Sequence, residues 1–193
     1  MGSPRIGIII GSTREKRFGE KAARWIHGVA SQRTDMEFEI VDLRDYPLPF
    51  FEGASPLYVP VTNEIAQRWG KKIAELDGYI FVTAEYNRSI TGALKNAIDW
   101  AYKPFIKKAV AFVGYGSVGG ARAIEHLRNI MVELQAVPVR HAVHIGGSDF
   151  MPIIMGKKTW DESKANFDPF VPEMLDNLVW WTKATMAAKA AAT

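Results

Sequence analysis

Gly78-Tyr79-Ile80-Phe81-Val82-Thr83 runs into Ala84-Glu85-Tyr86-Asn87-Arg88-Ser89-Ile90, and that into Thr91-Gly92-Ala93-Leu94-Lys95-Asn96-Ala97-Ile98-Asp99-Trp100. The first segment is short, β-branched and aromatic, as a strand buried on both faces of a parallel sheet should be. In the third, Leu94, Ala97, Ile98 and Ala101 recur at helical spacing, and Ser89 or Thr91 can cap that helix. Ala84 to Ile90 is therefore a loop at the carboxyl end of a strand, before a helix. Open α/β sheets place their ligands there. The loop carries a carboxylate, a phenol, an amide and a guanidinium, dense polar chemistry for so short a segment.

Outward from this unit the pattern repeats. Arg5 to Ile10 reads as a first strand, Met36 to Leu43 as an alternating edge strand, Ala109 to Gly114 as a fourth and Pro138 to Ile145 as a fifth. Helices are predicted over Phe18 to Ser31, Thr62 to Glu75, Ser89 or Thr91 to about Tyr102 (with Pro104 just beyond) and Ala121 to Leu134. A last helix starts at Asp168-Pro169, with Asp168 as N-cap and Pro169 at the first helical position. Arg44 to Pro60 is a long loop with Phe50 and Phe51 in its middle, and Gly146 to Asn166 reads as irregular. Strands alternating with helices give a parallel sheet wrapped on both faces, a three-layer α/β sandwich. Five strands favour the flavodoxin-like order 2-1-3-4-5, whose switch point lies between the loops after strands one and three.

The 193 residues are expected to form one domain, residues 1–193, large enough to bury about 70% of the unfolded chain's surface. There is no cysteine, which excludes disulfides, thiolate metal sites and a cysteine nucleophile. The net charge is +3 with Lys and Arg dispersed, so a nucleic-acid surface is not expected. Met1 to Arg5 precedes only a short apolar run, and no stretch nears the roughly 20 apolar residues of a membrane span. These features point to a soluble cytoplasmic protein.

Three loops carry candidate chemistry. Gly11 to Gly19 offers the hydroxyls of Ser12 and Thr13, the cations Arg14, Lys16 and Arg17, and free amides at a helix start, the make-up of a phosphate site. It is neither a P-loop nor a Gly-x-Gly-x-x-Gly. A helix terminus gives an anion only about 0.3–1 kcal/mol, whereas micromolar binding takes about 8 kcal/mol. A stacked, hydrogen-bonded ring must supply much of the rest. Gly114-Tyr115-Gly116-Ser117-Val118-Gly119 does spell the dinucleotide pattern, but the next strand lacks the acid that reading requires. Its glycines instead let successive amides approach a planar ring as a nest, holding the charge of a reduced flavin. Tyr86 can border that ring, while Asn87 and the Ala84–Glu85 backbone bond its polar edge. His141 and His144 stand an odd number of residues apart on one strand, which puts them on opposite faces and argues against a metal pair. Trp180 and Trp181 read as core or subunit contacts, and Phe50 and Phe51 as a dimer patch.

Gly11-Ser12-Thr13-Arg14 with Arg17-Phe18-Gly19-Glu20-Lys21, Glu85-Tyr86-Asn87 with Gly92 to Trp100, and Gly114 to Arg122 together resemble the NADPH-dependent FMN reductase family, which includes quinone, azo-dye and chromate reductases. The chain departs from the family pattern at Ala84 and Thr91, where proline is common. The resemblance implies bound FMN, with Ser12, Arg14, Arg17, Phe18 and Gly19 at the phosphate. It places Ala84, Glu85, Tyr86 and Asn87 by the ribityl and ring, and Ser117, Val118, Gly119 and Gly120 at the pyrimidine edge. It also implies a homodimer or homotetramer. The expected activity is hydride transfer from NADPH or NADH to flavin and on to quinone-like, azo, metal-ion or free flavin acceptors by a ping-pong route, with no side chain acting as an indispensable acid or base. The rival readings are a non-enzymatic flavodoxin-like electron carrier and a nucleotide-binding regulator without turnover.

Overall fold

Ile6, Ile8 and Ile10 of the first strand bury on one side of the sheet and Ile9 on the other, and that alternation sets the layers. The computed structural model describes residues 2–192; Met1 and Thr193, the ends of the expected domain, lie outside the described residues. Strands β1 (Arg5–Ile10), β2 (Glu37–Asp42), β3 (Gly78–Ala84), β4 (Ala109–Tyr115) and β5 (Val137–Ile145) form one five-stranded parallel sheet in the order β2-β1-β3-β4-β5. The flavodoxin-like order expected from the sequence is therefore the one observed. Helices α1 (Gly19–Ala30) and α8 (Val171–Ala191) cover the face that carries Ile6, Ile80, Ala111 and Val143. Helices α2 (Glu64–Ala74), α3 (Gly92–Asp99) and α5 (Ala121–Glu133) cover the face that carries Ile9, Tyr79, Phe81 and Phe112.

Several local readings change. Pro104 does not stop a helix: α3 ends at Asp99, and Pro104 sits inside a separate short helix, α4 (Tyr102–Phe105). Two helices occupy the stretch expected to be irregular, α6 (Gly147–Ile154) and α7 (Trp160–Lys164). Pro152 lies inside α6 and has no amide to donate. The Ser148 carbonyl that would have received it instead accepts from Lys158 Nζ at 3.3 Å. A Thr159–Glu162 capping box starts α7. Asp168 does not cap α8. It opens a 3-10 turn, Asp168–Phe170, and its carboxylate accepts from Trp25 Nε1 at 2.8 Å.

The sheet edges need particular side chains. Pro138 lies on edge strand β5, where its missing amide is tolerated, beside a register shift between Val110 and Phe112 of β4. Arg128 interrupts the apolar stripe of α5 for that reason. Its guanidinium lies 4.8 Å over the Phe112 ring and donates to the Val139 and Arg140 carbonyls that the shift frees. The long loop is pinned by the helix that follows β3: Asn96 Nδ2 and Trp100 Nε1 both donate to the Pro49 carbonyl, and Asn96 Oδ1 accepts from Phe51 N. Trp180 and Trp181 stack edge to face at 4.8 Å but are 62% and 39% exposed, so they are not core.

Candidate active site

The three polar loops meet at the carboxyl edge of the sheet. Arg14 Nη1 reaches Tyr86 Oη at 3.5 Å, and its guanidinium carbon stands 5.9 Å from the Tyr86 ring centre. Glu85 N donates to Tyr115 O at 3.1 Å, tying the second loop to the third. Between them lies a cleft of about 730 Å3, within the usual range for small-ligand sites. Ser12, Arg14, Arg17, Phe18, Ala84, Glu85, Tyr86 and Ser117 line it, so much of the sequence-derived set is brought together.

The second loop is a tight hairpin. Tyr86 and Ser89 exchange both backbone hydrogen bonds, and Asn87 and Arg88 between them take φ of 49° and 68°, as a primed turn requires. This turns Tyr86 toward Arg14 and leaves Asn87 exposed at the tip, outside the cleft lining. Thr91 is the cap of α3, accepting from Leu94 N, whereas Ser89 Oγ meets His126 Nδ1 at 2.6 Å.

Two expected ligand groups are engaged elsewhere. The Arg17 guanidinium is 2% exposed and makes a bidentate pair with Asp42 at the end of β2, while Nη1 also donates to Ser12 O at 2.8 Å. Both Nη atoms are thus engaged, and Nε alone is left without a partner. Burial acts to raise the Asp42 pKa, but bonds from Arg17 and from Arg44 N outweigh it and hold the carboxyl below the ordinary aspartate value. The Glu85 carboxylate, on the cleft lining, is likewise already paired. Its side chain is 5% exposed, pairs with Arg122, and accepts from Arg122 N at 3.1 Å in the first turn of α5.

The glycine loop is shaped by its backbone. Gly119 and Gly120 take φ of 67° and 70°, and a Cβ on Gly120 would stand 2.8 Å from Gly114 Cα. Gly116 N donates to Ile145 O and Gly119 N to Gly116 O, so of the expected nest the Ser117, Val118 and Gly120 amides remain. Gly119, Gly120 and Val118 are absent from the lining, and Gly19 lies beneath Tyr115, whose hydroxyl a Cβ there would approach to 2.7 Å. His141 and His144 do point apart: His141 Nε2 pairs with Glu173 at 3.0 Å and His144 Nδ1 meets Gly119 O at 3.0 Å.

The structure adds a fourth wall. Phe150, Met151, Ile153 and Ile154 of α6 face the cleft with Tyr115. Phe150 and Tyr115 each lie 5.0 Å from the Phe18 ring. Burial pushes the Tyr115 phenol well up, so it stays a neutral donor. The i, i+3, i+4 spacing of Phe150, Ile153 and Ile154 was the available sequence signal, masked by Pro152.

The donor set suits a flat phosphorylated ligand. Ser12 Oγ is buried on the lining and lacks a hydrogen-bond partner. The Ser12, Thr13 and Arg14 amides donate to nothing among the described residues. The cations Arg14, Lys16 and Lys21 surround them, while Tyr86 offers a ring face beside Arg14. A phosphomonoester and a conjugated ring would satisfy both halves, so the residues fit FMN.

Residues 4–149 match the NADPH-dependent FMN reductase family. The chain belongs to that family. It is similar to the NAD(P)H-dependent FMN reductase ntnL of Nectria sp, 36% identical over 146 residues that cover 70% of this chain and 73% of the relative. It is also similar to a 2-hydroxy-1,4-benzoquinone reductase of Burkholderia sp, 35% identical over 140 residues covering 69% and 73%. In fold it is similar to FerB, the flavoenzyme NAD(P)H:(acceptor) oxidoreductase of Paracoccus denitrificans, with a TM-score of 0.67 at 23% identity over 94% of this chain and 98% of that one. As a member, it is an oxidoreductase that uses FMN and a nicotinamide donor, which sets aside the carrier and regulator readings. The α6 wall beyond Asp149 lies outside the family match.

Proposed function

We propose that the cleft holds FMN and that the protein passes reducing equivalents from NADPH to quinone-like acceptors, with azo compounds, metal ions and free flavin as further acceptors, in a ping-pong order. The observation that carries this reading is the convergence of the Arg14, Tyr86 and Tyr115–Gly116 turns on one cleft whose lining hydroxyl Ser12 is buried and unpaired. Bound in this cleft, FMN would supply the redox chemistry that links a nicotinamide donor to the acceptor. The chain's own groups bind and orient. Ser12 Oγ, the free amides of Ser12 to Arg14 and the Arg14 guanidinium hold the phosphate, while Arg17 supports them from behind. Tyr86 borders the ring, and the Ser117 and Val118 amides donate to its pyrimidine edge, stabilising negative charge there. Phe18, Tyr115, Phe150 and Ile153 exclude water from one side.

The reading is of one domain over residues 1–193, cytoplasmic and homodimeric or homotetrameric, the last checked by native mass spectrometry. NADPH is favoured over NADH because Lys16 and Lys21 stand in the cleft as additional cations for a 2′-phosphate. Initial rates over crossed concentrations of each nicotinamide and a benzoquinone test the scheme. Parallel double-reciprocal lines and a higher kcat/KM with NADPH are expected. Lines that intersect, or a preference for NADH, would overturn the order or the donor assignment respectively.

A further inference from the structure

The loop from Ser12 to Glu15 has its carbonyls held by two arginines that the phosphate site does not use directly. Arg44 follows β2 and is absent from the cleft lining. Its Nε donates to Thr13 O at 3.3 Å, and its Nη2 donates to Arg14 O and, at 2.8 Å, to Glu15 O. Arg17 Nη1 donates to the remaining carbonyl, Ser12 O, at 2.8 Å. One carboxylate joins the two: Asp42 pairs with the Arg17 guanidinium and accepts from Arg44 N at 2.9 Å. A peptide unit whose carbonyl is fixed has its amide fixed in the opposite direction, because the unit is planar and trans. Holding the carbonyls of Ser12 to Glu15 therefore holds the amides of Thr13 to Lys16. It also costs ordering entropy before a ligand arrives rather than on binding, which is what preorganisation means.

We propose that Arg44, with the Arg17–Asp42 pair, is a positioning device for the phosphate loop: it gathers the loop's carbonyls on its own side so that the amides and the Ser12 hydroxyl stay free for a phosphomonoester. The inference rests on the reading of the cleft as an FMN site, and it assigns the selectivity for FMN over its dephosphorylated form to a residue that touches neither. Lysine cannot replace Arg44 fully, because a compact ammonium lacks the planar fork that spans three carbonyls.

The test compares FMN and riboflavin, which share the ring and ribityl chain and differ in the phosphate. Dissociation constants are measured by flavin fluorescence titration for the apo-protein, Arg44→Met, Arg44→Lys and Asp42→Asn, with far-UV circular dichroism and melting as a fold check. Arg44 is exposed, so its substitution leaves the core intact. Wild-type protein is expected to prefer FMN. Arg44→Met should weaken FMN about tenfold while leaving riboflavin unchanged, since the charge-assisted bonds that hold the loop are lost while the ring contacts are kept. Arg44→Lys should recover part of the loss, and Asp42→Asn should show the same FMN-selective weakening. Equal losses for FMN and riboflavin in Arg44→Met, or no loss for either, overturn the positioning role. A wild-type protein that binds FMN no more tightly than riboflavin overturns the cleft assignment itself, and the positioning role with it.

Discussion

Asp42 concentrates the residue-scale energetics. Its partner Arg17 is 2% exposed, while Asp42 itself is 22% exposed. Neutralising the carboxylate strands a buried guanidinium, for which about 3 kcal/mol is the expected cost, the low end for a buried pair because one member is partly wet. The pH dependence follows from the depressed folded-state pKa of Asp42. Such a group contributes stability that is present above the unfolded value of about 3.9 and is lost as pH falls through the folded value. Urea unfolding of wild type and Asp42→Asn should therefore show a gap at pH 7 that narrows progressively as pH falls below about 4. A gap independent of pH would show that the pair contributes through packing alone. Position along the strand decides which residues of the ligand loops reach the cleft. Ser12, Arg14 and Tyr86 reach the cleft because they lie at strand ends beside the switch point. Arg17 and Glu85 line the cleft too, but their pairing was not legible, because their partners Asp42 and Arg122 are remote in sequence and nothing local distinguishes a paired charge from a free one.

At the scale of elements, the carboxyl end of α2 carries a second buried cation. Lys108 Nζ donates to the Ile73 and Ala74 carbonyls at 2.9 and 3.0 Å and lies 5.5 Å from the Tyr79 ring centre. It serves as a C-terminal cap supplied by a distant segment. Burial, with a smaller contribution from Lys189, lowers its pKa to about 8. A lysine depressed in the folded state binds fewer protons there than in the unfolded chain, so its contribution to stability rises with pH between about 8 and the ordinary 10.5. Relative to Lys108→Met, wild type should gain stability from pH 7 to pH 10, by an amount on the order of 3 kcal/mol. Chemical unfolding at the two pH values measures it, and a constant difference would contradict a buried, depressed lysine. The β-strands and α1, α2, α3 and α5 were legible because each carries a continuous apolar pattern or a cap, as Thr91 shows. The α6 helix was not, because Pro152 reads locally as a break while its consequence, the freed Ser148 carbonyl, is repaired by Lys158 ten residues away.

Across the whole molecule, sheet order does the work that no single residue does. Placing β1 between β2 and β3 brings Arg44 and Asp42 to one side of the phosphate loop and Tyr86 to the other. Placing β4 next to β3 lets Tyr115 and Gly116 meet Glu85. The cleft is thus a product of the 2-1-3-4-5 topology, and its chemistry follows from which loops that topology makes neighbours. The most direct measurement is anaerobic. Purified protein is incubated with FMN, freed of unbound flavin, and mixed with NADPH and then, after the nicotinamide is removed, with a benzoquinone. A yellow protein is expected, whose visible flavin band bleaches with NADPH alone and returns on adding the quinone. A protein that stays colourless after incubation with FMN, or a bound flavin that NADPH leaves oxidised, would contradict it.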